Sequence, residues 1–216
     1  MPIPLATNPG LAAFGASFTA ITLAELGDKT FFMALILATR HRGRHVFLGA
    51  FAALAAVTLI SLGVGYGLRE LLPARLLPWL AAALFSLFGL KLLVDAQRLG
   101  ADTDDEEREA QQAITEAESR GPIIRPWAVI WEAFTLVFIA ELGDRTQLAT
   151  IVLAAAPGFT FAGLLAGTLA GHAAVTGVAV GAGKWIGQRI NERLLYRLSG
   201  GLFLAFGLVA LRQAMG

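Results

Sequence analysis

The segment FTAITLAELGDKT at residues 18–30 returns as FTLVFIAELGDRT at residues 134–146, and this repetition decides the fold. Both copies place a glutamate, a glycine, an aspartate and a basic residue inside an otherwise apolar stretch. A similarity of this length within one chain indicates an internal repeat.

The similarity continues along the chain after the two motifs. The sequence AAVT at 55–58 recurs at 173–176, and LFSLFGL at 84–90 resembles LFLAFGL at 202–208. Matched segments in the same order indicate a duplicated unit that covers most of the protein.

Composition places both copies in a membrane. The chain is 56% hydrophobic and only 15% charged, and a membrane-spanning helix needs about 20 mostly apolar residues. Six segments meet this need, at about residues 11–39, 46–68, 76–97, 127–156, 160–186 and 194–213. We therefore predict an all-α integral membrane protein with six transmembrane helices.

The duplication divides the chain into three parts. Residues 1–99 form a first three-helix repeat, residues 100–125 an acidic linker, and residues 126–216 a second three-helix repeat. Because three is odd, the second copy enters the membrane from the opposite side. Inverted repeats of this kind are typical of transporters, whose substrate site lies between the halves.

Charge in the loops predicts the orientation. Arginines concentrate around residues 40–44, in the linker, and around 189–197, which predicts that these loops are cytoplasmic and that both termini lie outside. We interpret the linker as a solvated segment with a short helix starting at Asp104 or Asp105. The chain has no cysteine, which excludes thiolate metal sites, and no basic residue precedes the first apolar run, so a cleaved signal is not expected.

The motif acids are the candidate metal ligands, because ionisable residues deep in a span are costly and mark function. In a helix, positions i and i+3 share a face, so the two acids of each motif project together. Inverted symmetry then brings both faces to one point, and an all-oxygen site favours Ca²⁺, Mn²⁺ or Mg²⁺. These four ligands are Glu25, Asp28, Glu141 and Asp144.

The residues around these acids have secondary roles in this interpretation. Gly27 and Gly143 allow a local break of the helix. The neutral side chains that could add ligand oxygens are Thr30, Thr146 and Gln147, and those that could compensate charge are Lys29 and Arg145. Glu132 could reach the interface, and we interpret His172, which aligns with Leu54, as a packed histidine rather than a ligand.

Four crowded acids cannot all stay ionised without a cation, so an empty site should take up protons and a filled site should release them. The acids are therefore also the predicted proton-coupling groups. A cation channel and a proton-coupled exporter of a small solute are the alternatives. An intramembrane aspartyl protease fits less well, because each aspartate follows a glutamate and a Tyr-Asp partner segment is missing.

ELGDKT at 25–30 and ELGDRTQ at 141–147 resemble the twin E-x-G-D-[KR]-[ST] motifs of the Golgi-type calcium/manganese cation:proton antiporter family. The resemblance covers both halves and the acidic linker. It implies export of Mn²⁺ or Ca²⁺ against protons, with the four motif acids as ligands and no resident cofactor. The short N-terminus resembles bacterial members, which implies a multi-pass plasma-membrane protein, with metal ions, protons and lipid rather than nucleic acid as partners.

Overall fold

The computed structural model describes residues 8–98, 105–119, 125–156, 158–182 and 192–215, and within these residues every regular element is an α-helix. The helices are α1 (Pro9–Glu25), α2 (Lys29–Arg40), α3 (Gly43–Leu71), α4 (Leu76–Arg98), α5 (Asp105–Glu118), α6 (Pro126–Glu141), α7 (Arg145–Ala155), α8 (Phe161–Ala182) and α9 (Glu192–Met215). The all-α prediction is confirmed for this part of the chain.

Length and apolar composition identify the membrane spans. Among the described residues, the four helices α3, α4, α8 and α9 are long and apolar enough to cross a bilayer, and α6 with α7 adds a fifth span if the bent pair crosses as one unit. The first predicted span, 11–39, corresponds to α1 followed by α2. Counting that pair as a sixth span stays a prediction.

Large apolar side chains on the outer surface fit a lipid environment. Leu59, Trp79, Leu87, Trp131 and Leu208 are each about half exposed or more, on four different helices. In water this much exposed apolar surface would favour aggregation, whereas lipid covers it without cost. The chain is a multi-pass membrane protein.

The two halves pack reciprocally. Helix α1 lies against α8 and helix α6 lies against α3, while α4 of the first half packs along α9 of the second. Gly49 of α3 and Gly167 of α8, which correspond in the repeat, mark close approaches between helices. A Cβ at Gly49 would lie 2.3 Å from the carbonyl oxygen of Ile130, and one at Gly167 would lie 2.4 Å from that of Phe14. Each half therefore packs against the other rather than folding as a separate bundle.

The linker differs from the solvated segment that its composition predicts. Its helix begins at Asp105, as expected, but α5 packs along α2 and buries Ala110 and Ile114 completely. Polar contacts hold it in place: Glu106 accepts a hydrogen bond of 3.1 Å from Tyr196, and Glu118 pairs with Arg40. This segment is a docked helix of the fold. The ends of the predicted linker, around residues 99–104 and 120–124, lie outside the described residues.

Candidate metal centre

Each motif breaks its helix in the same way. Helix α1 ends at Glu25 and α2 begins at Lys29, and the intervening Gly27 has a positive φ of 78°. In the second half α6 and α7 meet at a bend of 67°, and Gly143 has a φ of 84°. This left-handed conformation costs other residues about 1–2 kcal/mol, which explains the glycine. The predicted local break is confirmed in both motifs.

The break places the glutamate and the aspartate of each motif at the two ends of a tight turn. The backbone N–H of Asp28 donates to the carbonyl of Glu25 at 3.2 Å, and Asp144 makes the same 3.2 Å bond to Glu141. Each aspartate therefore becomes the N-cap residue of the following helix, next to the N–H groups of its first turn. The glutamate and the aspartate of one motif consequently lie side by side.

Three of the four predicted ligands converge. Glu25, Asp28 and Glu141 each offer a carboxylate oxygen, and these oxygens all lie within 4.8 Å of one another. Their exposed fractions are 2%, 5% and 1%. We call these three residues the acid cluster. It joins two acids of the first half to one of the second, and the buried Oε1 of Glu141 has no hydrogen-bond partner. A carboxylate oxygen left in this way is available to a cation.

Asp144, the fourth predicted ligand, lies outside the acid cluster. It is only partly buried, and its Oδ2 accepts from the backbone N–H of Thr146 at 3.2 Å. It still interacts electrostatically with Glu141. Asp144 and Asp28 line a cavity of about 300 Å³ together with Glu106 and Glu109 of α5. We call this cavity the vestibule, and it connects the acid cluster to the side of the molecule on which α5 lies.

The motif threonines contact the glutamates in matched fashion. Thr30 donates to Oε2 of Glu25 at 3.0 Å, and the Oγ1 of Thr146 lies 3.1 Å from Oε2 of Glu141. Thr146 is also 3.1 Å from Oδ2 of Asp144, so its single hydroxyl proton is shared between two carboxyl groups. Both hydroxyls lie at the site, where their oxygens orient the acids.

The remaining predicted residues point elsewhere. The amide oxygen of Gln147 accepts from the backbone N–H of Gly143 at 2.6 Å, and so it closes the turn rather than facing the acids. Lys29 pairs with Glu109 of α5 at 2.5 Å instead of folding back onto Glu25. The side chain of Arg145 lies outside the described residues.

His172, which sequence reasoning interpreted as a packed histidine, lies beside the acid cluster. Its Nδ1 lies 3.8 Å from Oε1 of Glu25, is buried, and has no hydrogen-bond partner. It lines a small cavity of about 10 Å³ with Glu25, Thr30 and Thr176. The sequence feature that could have drawn attention to His172 is its place as a polar residue in the middle of the apolar helix α8. However, the first repeat has no histidine at the corresponding position.

The arrangement offers carboxylate oxygens from both halves, two hydroxyls and one imidazole at a buried point. Such a donor set is chemically able to hold a divalent cation and, when empty, favours bound protons.

Comparison with known proteins supports this chemistry. The family described as divalent cation/proton antiporter GDT1 matches residues 13–99 and 129–216, which are the two repeats without most of the linker. A GDT1-like protein of Synechocystis is 47% identical over 68% of this chain and 71% of its own length. The chloroplastic protein PAM71 of Arabidopsis thaliana is 39% identical over 72% of this chain.

The match covers 45% of PAM71 and 46% of a chloroplastic GDT1-like protein of rice, so this chain corresponds to about half of those plant proteins. No solved structure matches the chain. The family match over both repeats and the identity to the cyanobacterial protein agree with each other, and this chain belongs to the GDT1 family of divalent cation/proton antiporters.

Proposed function

We propose that this protein exports Mn²⁺ from the cytoplasm in exchange for protons, and that Glu25, Asp28 and Glu141 are the ligands of the transported ion. Asp144 lies on the path of the ion, at the vestibule, and is not one of the innermost ligands. The observation that carries the proposal is the convergence of the three carboxylates within 4.8 Å. Because they come from both repeats, a bound cation links the two halves.

Proton coupling follows from the burial of the same acids. Three carboxylates in a site with almost no solvent repel one another, and each is costly to keep charged. A divalent cation removes both penalties, and so do protons. The two therefore compete for the same oxygens, which is the requirement for exchange.

The proposed transport cycle depends on movement of the two repeats relative to each other. We propose six spans in two inverted halves, with α1–α2 and α6–α7 as broken helices that meet at the site. The vestibule opens on the side of α5, which the arginine distribution predicts to be cytoplasmic. Rocking of the halves would close the vestibule and open the site outward, across the plasma membrane of a bacterium.

The imidazole of His172 supports Mn²⁺ over Ca²⁺. Ca²⁺ prefers oxygen ligands, whereas first-row transition ions accept imidazole nitrogen. The Nδ1 of His172 is 3.8 Å from a carboxylate oxygen of Glu25, so a small displacement brings both atoms onto one ion. Ca²⁺ would still bind to the carboxylates, with lower preference.

The test is cation flux in proteoliposomes, with and without an imposed pH gradient. We expect Mn²⁺ movement that a proton gradient drives and that Glu25→Gln abolishes, while the variant stays folded in the membrane. Glu107→Gln, a change of an exposed acid on α5, is the matched control and should transport normally.

Each other result would contradict the proposal in a distinct way. Mn²⁺ flux that ignores the pH gradient would indicate a channel. A chain that moves neither Mn²⁺ nor Ca²⁺ would return the proton-coupled solute exporter to first place.

A further inference from the structure

A second group of ionisable side chains meets on the α5 side of the molecule, apart from the acid cluster. His41 follows the last residue of α2, Glu118 is the last residue of α5, and Glu132 lies in α6. The Nε2 of His41 is 3.8 Å from Oε2 of Glu132 and 3.9 Å from Oε1 of Glu118. We call these three residues the linker-side cluster.

Two members of this cluster, His41 and Glu132, have buried polar atoms without hydrogen bonds. The Glu132 side chain is 6% exposed, and neither of its carboxylate oxygens has a hydrogen-bond partner. The Nε2 of His41 is likewise buried and lacks a hydrogen-bond partner. A buried carboxyl group with no hydrogen bond is costly, so its retention needs an explanation. Packing alone does not explain why a glutamate is kept here, because a carboxyl group is unfavourable in an apolar environment.

We propose that His41, Glu118 and Glu132 form a second binding site for a first-row divalent cation, with Mn²⁺ as the test ion. One imidazole nitrogen and two carboxylates are ligands that such ions accept. Ligand atoms around an ion of this size lie roughly 3–3.5 Å apart, slightly closer than the 3.8 and 3.9 Å found here. Among the described residues, only the acid cluster has three such ligand atoms all within 4.8 Å of one another, so a bound ion would have to bring the carboxylates of Glu118 and Glu132 toward each other as well as toward His41.

The charge of the surroundings makes this site weaker than the transport site. Glu118 already pairs with Arg40 through its other oxygen, which offsets one of the two negative charges. A site with reduced negative charge releases its ion more readily. It is suited to sensing the ion rather than to storing it.

The site lies next to a cavity. A cavity of about 610 Å³ lies between α5 and α6, and it is lined by Glu132 together with Glu116, Thr135 and Trp131. Glu132 therefore borders a cavity separate from the vestibule, although its carboxylate oxygens are themselves buried.

Occupancy of this site would act on transport through α5. The ion would tie Glu118 of α5 to α2 and α6, and the same helix carries Glu106 and Glu109, which line the vestibule. Binding would thus fix the wall of the vestibule in the position seen here. This regulatory part rests on the proposed transport function, whereas the binding site itself does not.

The binding test uses the full chain in lipid nanodiscs with the transport site removed by Glu25→Gln together with Glu141→Gln. Pulsed electron paramagnetic resonance of added Mn²⁺ reports whether a nitrogen ligand is bound. We expect about one Mn²⁺ per chain with nitrogen coupling in this background. His41→Gln should remove the coupling, and Glu132→Gln should weaken binding by about tenfold or more.

Glu107→Gln in the same background is the control for general acidity of α5 and should leave the signal intact. Size-exclusion profiles identify any variant that fails to fold, and Glu118→Gln, at a position that is 30% exposed, gives a second test of the same site. If Mn²⁺ shows no nitrogen coupling, or if His41→Gln leaves it unchanged, the second site does not exist and His41 is only a counter-ion of the two acids.

The regulatory part is measured with an intact transport site. We measure the rate of Mn²⁺ export as a function of the internal Mn²⁺ concentration. In the wild type, Mn²⁺ bound at the second site should activate export at low ion concentration. Glu132→Gln should lose this activation, while its transport at saturating Mn²⁺ persists. Loss of transport at every concentration would overturn the regulatory role. Because binding is measured where transport is already absent, failure of one proposal is distinguishable from failure of the other.

Discussion

The two motifs have nearly the same sequence, yet the structure uses them differently. In the first half Asp28 is 5% exposed and belongs to the acid cluster, whereas its counterpart Asp144 is partly exposed and caps α7 through Thr146. His172 lies beside Glu25, while the residue that corresponds to it in the first repeat is Leu54. The duplication thus sets where the acids meet, and later divergence sets which of them enter the acid cluster and which only line the vestibule.

The neighbours of the two motifs diverge as well. Phe31 follows the first motif and is buried in the apolar core, but Gln147 follows the second and closes its turn. Only the first motif has an ion pair to the linker helix among the described contacts, through Lys29 and Glu109. Substitutions at matched positions therefore separate what the repeat provides from what one half adds.

The largest effect is expected where the halves are alike. Glu25→Gln and Glu141→Gln each remove a buried carboxylate of the acid cluster. Since loss of a residue that merely supports a metal ligand costs about 10–100-fold in affinity, loss of a ligand should cost about 100-fold or more. Isothermal titration with Mn²⁺ in detergent measures this, with Glu107→Gln as control. A tenfold difference between the two glutamates would contradict equal roles.

The aspartates should differ where the glutamates do not. Asp28→Asn should lower Mn²⁺ affinity by about 30-fold or more, because a charged ligand is lost from a buried site. Asp144→Asn should lower it only about threefold, because a partly exposed charge outside the cluster is screened by solvent. The same titration measures both variants. Equal losses would place Asp144 in the inner shell after all.

The pH dependence tests the competition between protons and the ion. Carboxylates must lose their protons to bind Mn²⁺, so affinity should fall as pH is lowered and recover as it is raised. The acid cluster holds three such groups, so wild-type affinity should fall more steeply with pH than that of Asp28→Asn. Titrations across a pH series give both slopes. Identical slopes would show that Asp28 exchanges no proton with the ion.

His172 tests a residue that only one half carries. His172→Leu gives α8 the residue that α3 has at Leu54, and it should reduce the Mn²⁺ to Ca²⁺ affinity ratio by about tenfold, which corresponds to about 1.4 kcal/mol. The physical reason is that imidazole binds the transition ion better than Ca²⁺. His45→Leu, at the start of α3, is the matched control. A ratio that stays constant while both affinities fall would show that His172 only packs.

Sequence predicted the features that depend on local chemistry. The paired acids, the glycines that break both helices and the meeting of the halves all follow from spacing and repetition. The position of Asp144 could not be predicted, because its burial depends on how α4, α5 and α7 surround the vestibule rather than on its own motif. The position of His172 beside Glu25 could not be predicted, because a single histidine in an apolar helix is compatible with packing or binding.

The linker was misjudged although the sequence contained a signal. Its composition is acidic, which favours a solvated segment, but Ala110, Ala113, Ile114 and Ala117 follow one another at helical spacing and form an apolar stripe. Ala110 and Ile114 of this stripe are fully buried, and α5 packs along α2. Average composition hid a pattern that periodicity reveals.

The smallest effect is expected at the ion pair between the first motif and the linker helix. The side chains of Lys29 and Glu109 are 34% and 57% exposed, so the pair contributes at most about 1 kcal/mol. Lys29→Gln and Glu109→Gln should each change the transport rate by only about twofold to threefold, and the double variant should match either single one because both remove the same contact. Flux in proteoliposomes gives the rates, and hydrogen exchange of α5 shows whether the helix loosens. Effects that add up in the double variant would mean that Lys29 acts on the acid cluster directly, as a charge-compensating residue, rather than through the linker helix.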